Sequence, residues 1–244
     1  MENKRNSKVL GIQTSTLVWS VAIIDGEKLL GEYVFDSYER LSKILVPSID
    51  ELGKKIGIKK EDLDGIAVTK GPGLFTGSRM GMSVAKGLAM GLDIPLVGIS
   101  TMDALADNLS YCNYQICPLI SSRGQPARFD AKQAGGDVYS AIYKISGKNV
   151  KKIEKEAVFD IEQRLKKINK PTIFVGEAAL RHKSLIKKKL GSLALFAPLS
   201  LNYIRASDIA FMSRDKIKKA GKFSALTLKA EYLRPGVDPV KRFK

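Results

Sequence analysis

The stretch 65–92 constrains this chain more than any other. A short apolar run, Gly65-Ile66-Ala67-Val68-Thr69, reads as a buried strand. Gly71-Pro72-Gly73 then forces a tight turn, because glycine accepts positive φ and proline presets its own. Beyond Thr76 the pattern becomes helical, with Met80, Val84 and Leu88 recurring every four residues. Beside them runs a stripe of small residues, Gly77, Gly81, Ala85 and Ala89, also four apart. Glycine costs a helix roughly 0.5–1 kcal/mol relative to alanine, so such a stripe needs a compensating contact. Two sources stay open: very tight packing inside the chain, or a helix supplied by a partner.

The flanking sequence predicts a mixed α/β domain over about the first hundred residues. Val9-Leu10-Gly11-Ile12 and Ser20-Val21-Ala22-Ile23-Ile24 read as strands joined through Gln13-Thr14-Ser15-Thr16. Asp25-Gly26 is a hairpin signal leading into a third strand over 28–35. Asp36 or Ser37 is a candidate cap for a helix reaching about Lys55, with Leu41, Ile44, Leu45, Ile49 and Leu52 on one face and Pro47 expected to bend it. A strand over 94–99 and a short helix capped by Ser100 or Thr101 close this part. Farther on, strands are expected over 115–120, 138–143, 150–159, 172–175 and 193–197. Helices are expected from Asp160, from Gly176 and over 207–220. Residues 121–136 carry no apolar periodicity and read as a long exposed loop with Arg123, Arg128 and Lys132.

Charge is unevenly placed. Up to Ala104 there are 13 basic and 13 acidic residues, whereas the remainder holds 28 basic against 12 acidic, so the whole excess of +16 sits there. That asymmetry points to two modules, 1–104 and 105–244, and to a polyanionic partner or a plain lysine-rich solvated surface. Basic clusters at Lys151-Lys152, Arg164/Lys166/Lys167, Lys187-Lys188-Lys189 and Lys216/Lys218/Lys219 read as solvated faces, with few aromatics interleaved. No apolar run approaches the roughly 20 residues that cross a bilayer, so no membrane role and a cytoplasmic location are expected. The charged N-terminus leads straight into a strand and is not read as a signal peptide.

The usual catalytic constellations are scarce. His182 is the only histidine; beside Arg181 and Lys183 it reads as helix surface, so neither a multi-histidine metal site nor histidine acid–base chemistry is expected. Cys112 and Cys117 lack the second pair of a zinc site and read as packed thiols. Gly71, Gly73 and Gly77 before a helix resemble a phosphate cradle, but Ser78-Arg79 stands where an NTPase loop has lysine and hydroxyl. An anion site and a structural turn both stay open.

The opening strands with their hydroxyl-rich first turn resemble the actin-like ATPase superfamily. GPGLFTGSRMGMSVAKGLA over 71–89, followed by IPLVGISTMDALA over 94–106, resembles the TsaB family, also called YeaZ. The family's wording there is close to G-P-G-S-F-T-G-L-R-x-G with A-x-G-L-A behind. The likeness covers most of the first hundred residues and continues more loosely in Asp137-Val138-Tyr139-Ser140-Ala141-Ile142-Tyr143 and Tyr232-Leu233-Arg234.

The resemblance implies a two-lobed actin-like α/β fold (ribonuclease H-like, ASKHA), with mixed sheets flanked by helices. It implies a non-catalytic subunit of tRNA N6-threonylcarbamoyladenosine synthesis that supports a catalytic TsaD-like subunit, with a TsaE-like ATPase in the same assembly. It places the partner interface on two helices, at Leu41, Leu45, Gly77, Met80, Gly81, Val84, Ala85 and Leu88. A homodimer through the same helices and tRNA contact through the basic second lobe are further expectations. No cofactor is expected of this chain itself, with ATP and magnesium assigned to a shared interface. Thr14, Ser15, Gly71, Gly73 and Thr76 are the candidate nucleotide or anion contacts, although Gln13 stands where the family carries an acid. Ser121 to Phe129 reads as an insertion before the family's Asp-Ala pair, here Asp130-Ala131. An autonomous actin-like ATPase, a glycoprotease-like peptidase and a tRNA-binding module are the competing readings.

Overall fold

The fold is that of a computed structural model, which describes residues 7–37, 40–122, 136–147, 149–221 and 224–233. The chain runs β1 (Lys8–Gln13), β2 (Trp19–Asp25), β3 (Lys28–Phe35), α1 (Leu41–Ile56), β4 (Gly65–Gly71), α2 (Phe75–Leu92), β5 (Leu96–Ser100) and α3 (Thr101–Asp107). It continues through β6 (Gln115–Ser121), β7 (Asp137–Ser146), β8 (Asn149–Asp160), α4 (Ile161–Lys166), β9 (Thr172–Val175), α5 (Glu177–Arg181) and α6 (Lys183–Leu190). The last elements are β10 (Ala194–Phe196), α7 (Ala206–Lys219) and α8 (Ser224–Thr227). The expected loop over 121–136, with the Asp130-Ala131 pair, lies largely outside the described residues, as does the tail from Arg234.

Two five-stranded sheets share one topology. The first is ordered β3-β2-β1-β4-β5 and the second β8-β7-β6-β9-β10, read from its three-stranded antiparallel side. In each, three antiparallel strands are followed by two parallel ones. Central strands are apolar on both faces because both faces are covered. In β1, Leu10 and Ile12 face α1 and α2, while Val9 faces the middle of the molecule. In β6, Ile116 and Ile120 face the middle, and Cys117 and Leu119 face α4 to α6. The layers are therefore α1/α2, first sheet, α3/α7, second sheet, and α4/α5/α6.

That arrangement corrects the division at Ala104. Helix α7 packs against β1, β2, β4 and β5 of the first sheet. An added Cβ at Gly11 would overlap the Ala206 carbonyl, and one at Gly65 would press on Ile217, so both glycines are set by α7's close approach. The Ala206 N–H donates to Ser20 Oγ (2.8 Å), and the Ser207 N–H and Oγ–H both donate to Glu32 Oε1 (2.9 Å each). The first lobe is thus built from the start and the end of the chain. Between lobes, Tyr143 Oη donates to Asp103 Oδ1 (2.7 Å), Lys152 pairs with Asp103 and Glu156, and Ser100 Oγ donates to Glu156 (2.6 Å). The same Ser100 Oγ caps α3, as expected, by accepting from the Met102 and Asp103 N–H groups.

Helix α1 departs from expectation at its start. Arg40 precedes it, and neither Asp36 nor Ser37 supplies a side-chain cap. Pro47 lies inside an unbroken helix on its exposed side, where the carbonyl that proline leaves without a donor faces solvent rather than the core. Two polar side chains read as surface are inside. His182 is buried at the α5–α6 junction, and burial, with Arg181 beside it, holds its pKa below the ordinary value. Arg164 is fully enclosed, with Nη1 donating to both Glu154 oxygens (2.8 Å each), so it belongs to the second lobe's core rather than to a basic face.

Asp208 caps α7 by accepting from the Arg205 N–H (2.9 Å). Burial, with Glu32 and Asp107 nearby, pushes its carboxyl up to about 6. A raised carboxyl pKa means that the folded chain holds the proton longer than the unfolded one, so this group's contribution is full below the unfolded value and falls as pH rises. Urea denaturation of wild type and Asp208→Asn should show wild type losing stability relative to the variant between about pH 4 and about pH 6, with a flat difference above it.

Candidate functional site

The turn between β4 and α2 meets the turn between β1 and β2, and the two fill each other. Gly71 takes φ +104°, a left-handed value suited to glycine, and an added Cβ there would sit 2.7 Å from the Glu231 carbonyl. A Cβ at Gly73 would overlap the Ser15 carbonyl, which instead accepts the Leu74 N–H (2.8 Å). Thr14 Oγ1 donates to the Gly77 carbonyl (2.8 Å), and the Thr14 N–H donates to Thr69 Oγ1 (3.3 Å). Thr101 Oγ1 donates to Ser15 Oγ (3.0 Å), and Gln13 Nε2 donates to Thr16 Oγ1 (2.7 Å). Thr14, Ser15, Gly71 and Gly73 are brought together as the sequence suggested; Thr14 and Ser15 bond to Thr69, Gly77, Leu74 and Thr101, while Gln13 Oε1 and Ser78 Oγ beside them are buried with no partner among the described residues. Thr76 alone of the five is exposed.

The cleft between the lobes is narrow here. Its cavity of about 10 Å³ is lined by Ser15, Thr16, Leu74, Ser121, Glu177 and Arg181, room for one water at most. From the second lobe, Glu177 accepts the Ser121 N–H and pairs with Arg181 (3.5 Å). Burial pushes its carboxyl above the ordinary range. Among the described residues no group of three histidine, cysteine or acidic side chains is placed to hold a metal.

Helix α2 also answers where its small stripe points, and the answer corrects the expected interface. Gly77, Gly81, Ala85 and Ala89 are buried in the chain's own core, and a Cβ on Gly81 would overlap Thr14 Oγ1. Leu41 and Leu45 are buried beneath α1 in the same cluster. These side chains form no outer surface. Met80, Val84 and Leu88 are half-buried along the edge of that cluster, where they border the outside. A second small stripe, Ser83, Gly87 and Gly91, runs along the exposed side, with open space around Gly87 and Gly91. Val46 of α1 (52% exposed) and Met90 (59% exposed) are apolar and uncovered.

A third feature was not visible in the sequence. The segment after α8 returns to the start of α2, where the Glu231 N–H donates to the Lys70 carbonyl (2.7 Å) and the two side chains pair. Arg79 stacks on Phe75 at 3.8 Å and donates from Nε to Tyr232 Oη (3.0 Å). More than 150 residues separate these partners; the one hint was the Tyr232-Leu233-Arg234 wording.

A family model described as TsaD, tRNA N6-adenosine threonylcarbamoyltransferase, matches residues 36–236. A Pseudomonas aeruginosa crystal structure described as similar to peptidase YeaZ superposes with a TM-score of 0.71 at 22% identity, over 93% of this chain and 100% of that one. The class is a two-lobed α/β protein of actin-like architecture, with mixed sheets flanked by helices. The tRNA threonylcarbamoyladenosine biosynthesis protein TsaB of Bacillus subtilis is 28% identical over 211 residues, 85% of this chain and 87% of that protein. Its Haemophilus influenzae namesake is 27% identical over 241 residues, 94% of each. The chain belongs to the TsaD family of that model and, within it, to the TsaB (YeaZ) group.

The α2 packing is tested by Gly81→Ala, in which one methyl must displace Thr14. Overpacking of this kind costs about 1–3 kcal/mol. Chemical denaturation should show a loss of that order, against a gain of about 0.5–1 kcal/mol for Gly87→Ala on the open side.

Proposed function

We propose that this chain is a non-catalytic scaffold subunit of tRNA N6-threonylcarbamoyladenosine synthesis, and that it presents the outer face of α1 and α2 to a TsaD-like catalytic subunit. The observation that carries this reading is the pair of exposed glycines on α2. Each costs an exposed helix about 1 kcal/mol and touches nothing in its own chain, which is intelligible if another backbone comes close. Met80, Val84, Leu88, Met90 and Val46 flank that stripe and supply apolar area to bury. A second copy of this chain can use the same face, so homodimer and heterodimer compete for it.

The absence of catalysis in this subunit is part of the proposal. It is supported by the turn at Thr14 and Ser15, whose hydroxyls and Ser15 carbonyl are engaged by Gly77, Thr101 and Leu74. It is also supported by the cleft that Glu177 lines with Ser15 and Leu74, whose cavity of about 10 Å³ is too small for a phosphate. Any ATP and magnesium then belong to an interface shared with the partner, and a TsaE-like ATPase joins the assembly through that partner.

Gly87→Arg tests the interface without touching the core. The variant should fold at least as stably as wild type, by about 0.5–1 kcal/mol, because arginine favours a helix over glycine. It should lose co-purification with the TsaD-like subunit of the same cell by tenfold or more. Retention at wild-type stoichiometry would refute the assignment. Steady ATP turnover by the isolated chain, abolished by Thr14→Ala, would refute the non-catalytic reading.

A further inference from the structure

An open cavity of about 410 Å³ lies where α1 ends and the chain turns back towards β4. The reversal itself builds it. Gly57 takes φ +72° at the end of α1, and the Gly57 and Ile58 N–H groups donate back to the Lys54 and Gly53 carbonyls (3.3 and 2.9 Å). The Lys59 N–H donates to Asp62 Oδ2 (2.9 Å), and Lys60 pairs with Asp50 of α1 (2.8 Å). Residues 58–62 are thereby tied to one another and to the helix, with the cavity between them and β2.

Its inside and its mouth differ in chemistry. Ile23 of β2, Ile49 of α1, Ile58 and Leu63 form an apolar wall, and all but Ile58 belong to the buried core of the first lobe. Lys54, Lys59 and Lys60 stand at the mouth with Asp50 and Glu61. Asp50 is taken by Lys60, which leaves Lys54 and Lys59 against Glu61 and a positive rim. Neither Lys54 nor Lys59 has an ion-pair partner among the described residues. The chain up to Ala104 carries no net charge, so this local excess does not follow from composition. The Gly53 and Lys54 carbonyls are capped, which offsets the negative end of the helix. Small-molecule sites share these properties: volumes of about 300–1,000 Å³, mostly apolar walls and a few charged groups that fix orientation.

We propose that this cavity binds a small apolar monocarboxylate, with its hydrocarbon part against Ile23, Ile49 and Leu63 and its carboxylate between Lys54 and Lys59. The wall supplies the affinity, because burying hydrocarbon is what four aliphatic side chains reward. The lysines supply the orientation, since charges left at a wet rim contribute little energy but select the sign of the head group. A sugar or nucleotide body fits poorly, as its hydroxyls and ring nitrogens would be buried against aliphatic carbon without partners. The inference stands apart from the scaffold reading. Gly87→Arg on α2 should bind the carboxylate as wild type does, whatever it does to co-purification with a TsaD-like subunit.

Octanoate titrated into the full chain, followed by calorimetry and by amide shifts in two-dimensional NMR spectra, decides it. Octanoate should bind with a Kd on the order of 1 mM or tighter, and the amides that shift should be those of Gly53, Gly57 and Ile58. Octanol, with the same chain and no charge, should bind about 2- to 30-fold more weakly, and octylamine more weakly still. Lys54→Ala with Lys59→Ala should weaken octanoate by that same factor and leave octanol unchanged. Ile58→Trp fills the cavity from a partly exposed position; it should keep the wild-type urea midpoint and lose octanoate about tenfold or more. The lysine variant changes only exposed side chains, so it carries the test if Ile58→Trp does not fold. The proposal fails if octanoate gives neither heat nor shifts, or if the shifts fall outside the cavity. It fails equally if octanol or octylamine binds as tightly as octanoate, which would make this an apolar recess that reads no head group.

Discussion

The backbone of α2 lies against the first turn of the chain with almost nothing between them. Thr14 Oγ1 reaches the Gly77 carbonyl because Gly77 and Gly81 offer no side chains to keep it away. One residue on, the Ser15 carbonyl takes the Leu74 N–H because Gly73 lets it in. A helix clamped at its first turn has its rotation fixed. Once Gly81 faces Thr14, Ala85 and Ala89 must follow it into the core, and Ser83, Gly87 and Gly91 must turn outward. The outer surface of the first lobe is thus decided by a contact buried beneath it.

The same clamp bears on chemistry. In a fold of this class, a turn between the first two strands and a glycine-rich entrance to a helix could together hold phosphates. Here Thr14 and Ser15 spend hydrogen bonds on Gly77, Thr69, Leu74 and Thr101 within the chain, and across the cleft Glu177 takes the Ser121 N–H of its own lobe. Buried polar groups that are already paired gain little from a ligand and would pay desolvation to rearrange. The physical difference between a nucleotide site and a structural joint lies in this satisfaction, and the spacing of glycines is common to both.

Much of the fold was legible in the sequence, because burial on one or both faces writes a period into each element. Strands β1, β2, β3, β6, β8 and β9 fall where their apolar runs place them, and Ser100 and Asp160 cap the helices they precede. The direction of the small stripe was not legible. Spacing of four shows that something approaches closely, but not whose backbone it is. His182 and Arg164 sit among lysines in sequence and read there as surface, whereas Arg164 is enclosed beside Glu154 and His182 at the α5–α6 junction. The cavity at the end of α1 likewise joins Ile23 to residues 49–63, through a strand order that sets β2 beside β1 and β1 beside β4. No local window contains that information.

The return of α7 to the first sheet has a consequence for how the chain is made. Strands β1, β4 and β5 leave the ribosome early, yet the face that holds Val9, Gly11 and Ala67 is covered by a helix ending at Lys219. At about 5–20 residues per second, that face waits on the order of ten seconds of elongation for its cover. The second lobe, whose strands run from Gln115 to Phe196, is fully synthesised in the interval and can close first. The lobe that begins the polypeptide is therefore the last to be completed. A nonsense codon anywhere before α7 would leave that lobe as an apolar sheet open to chaperones and proteases.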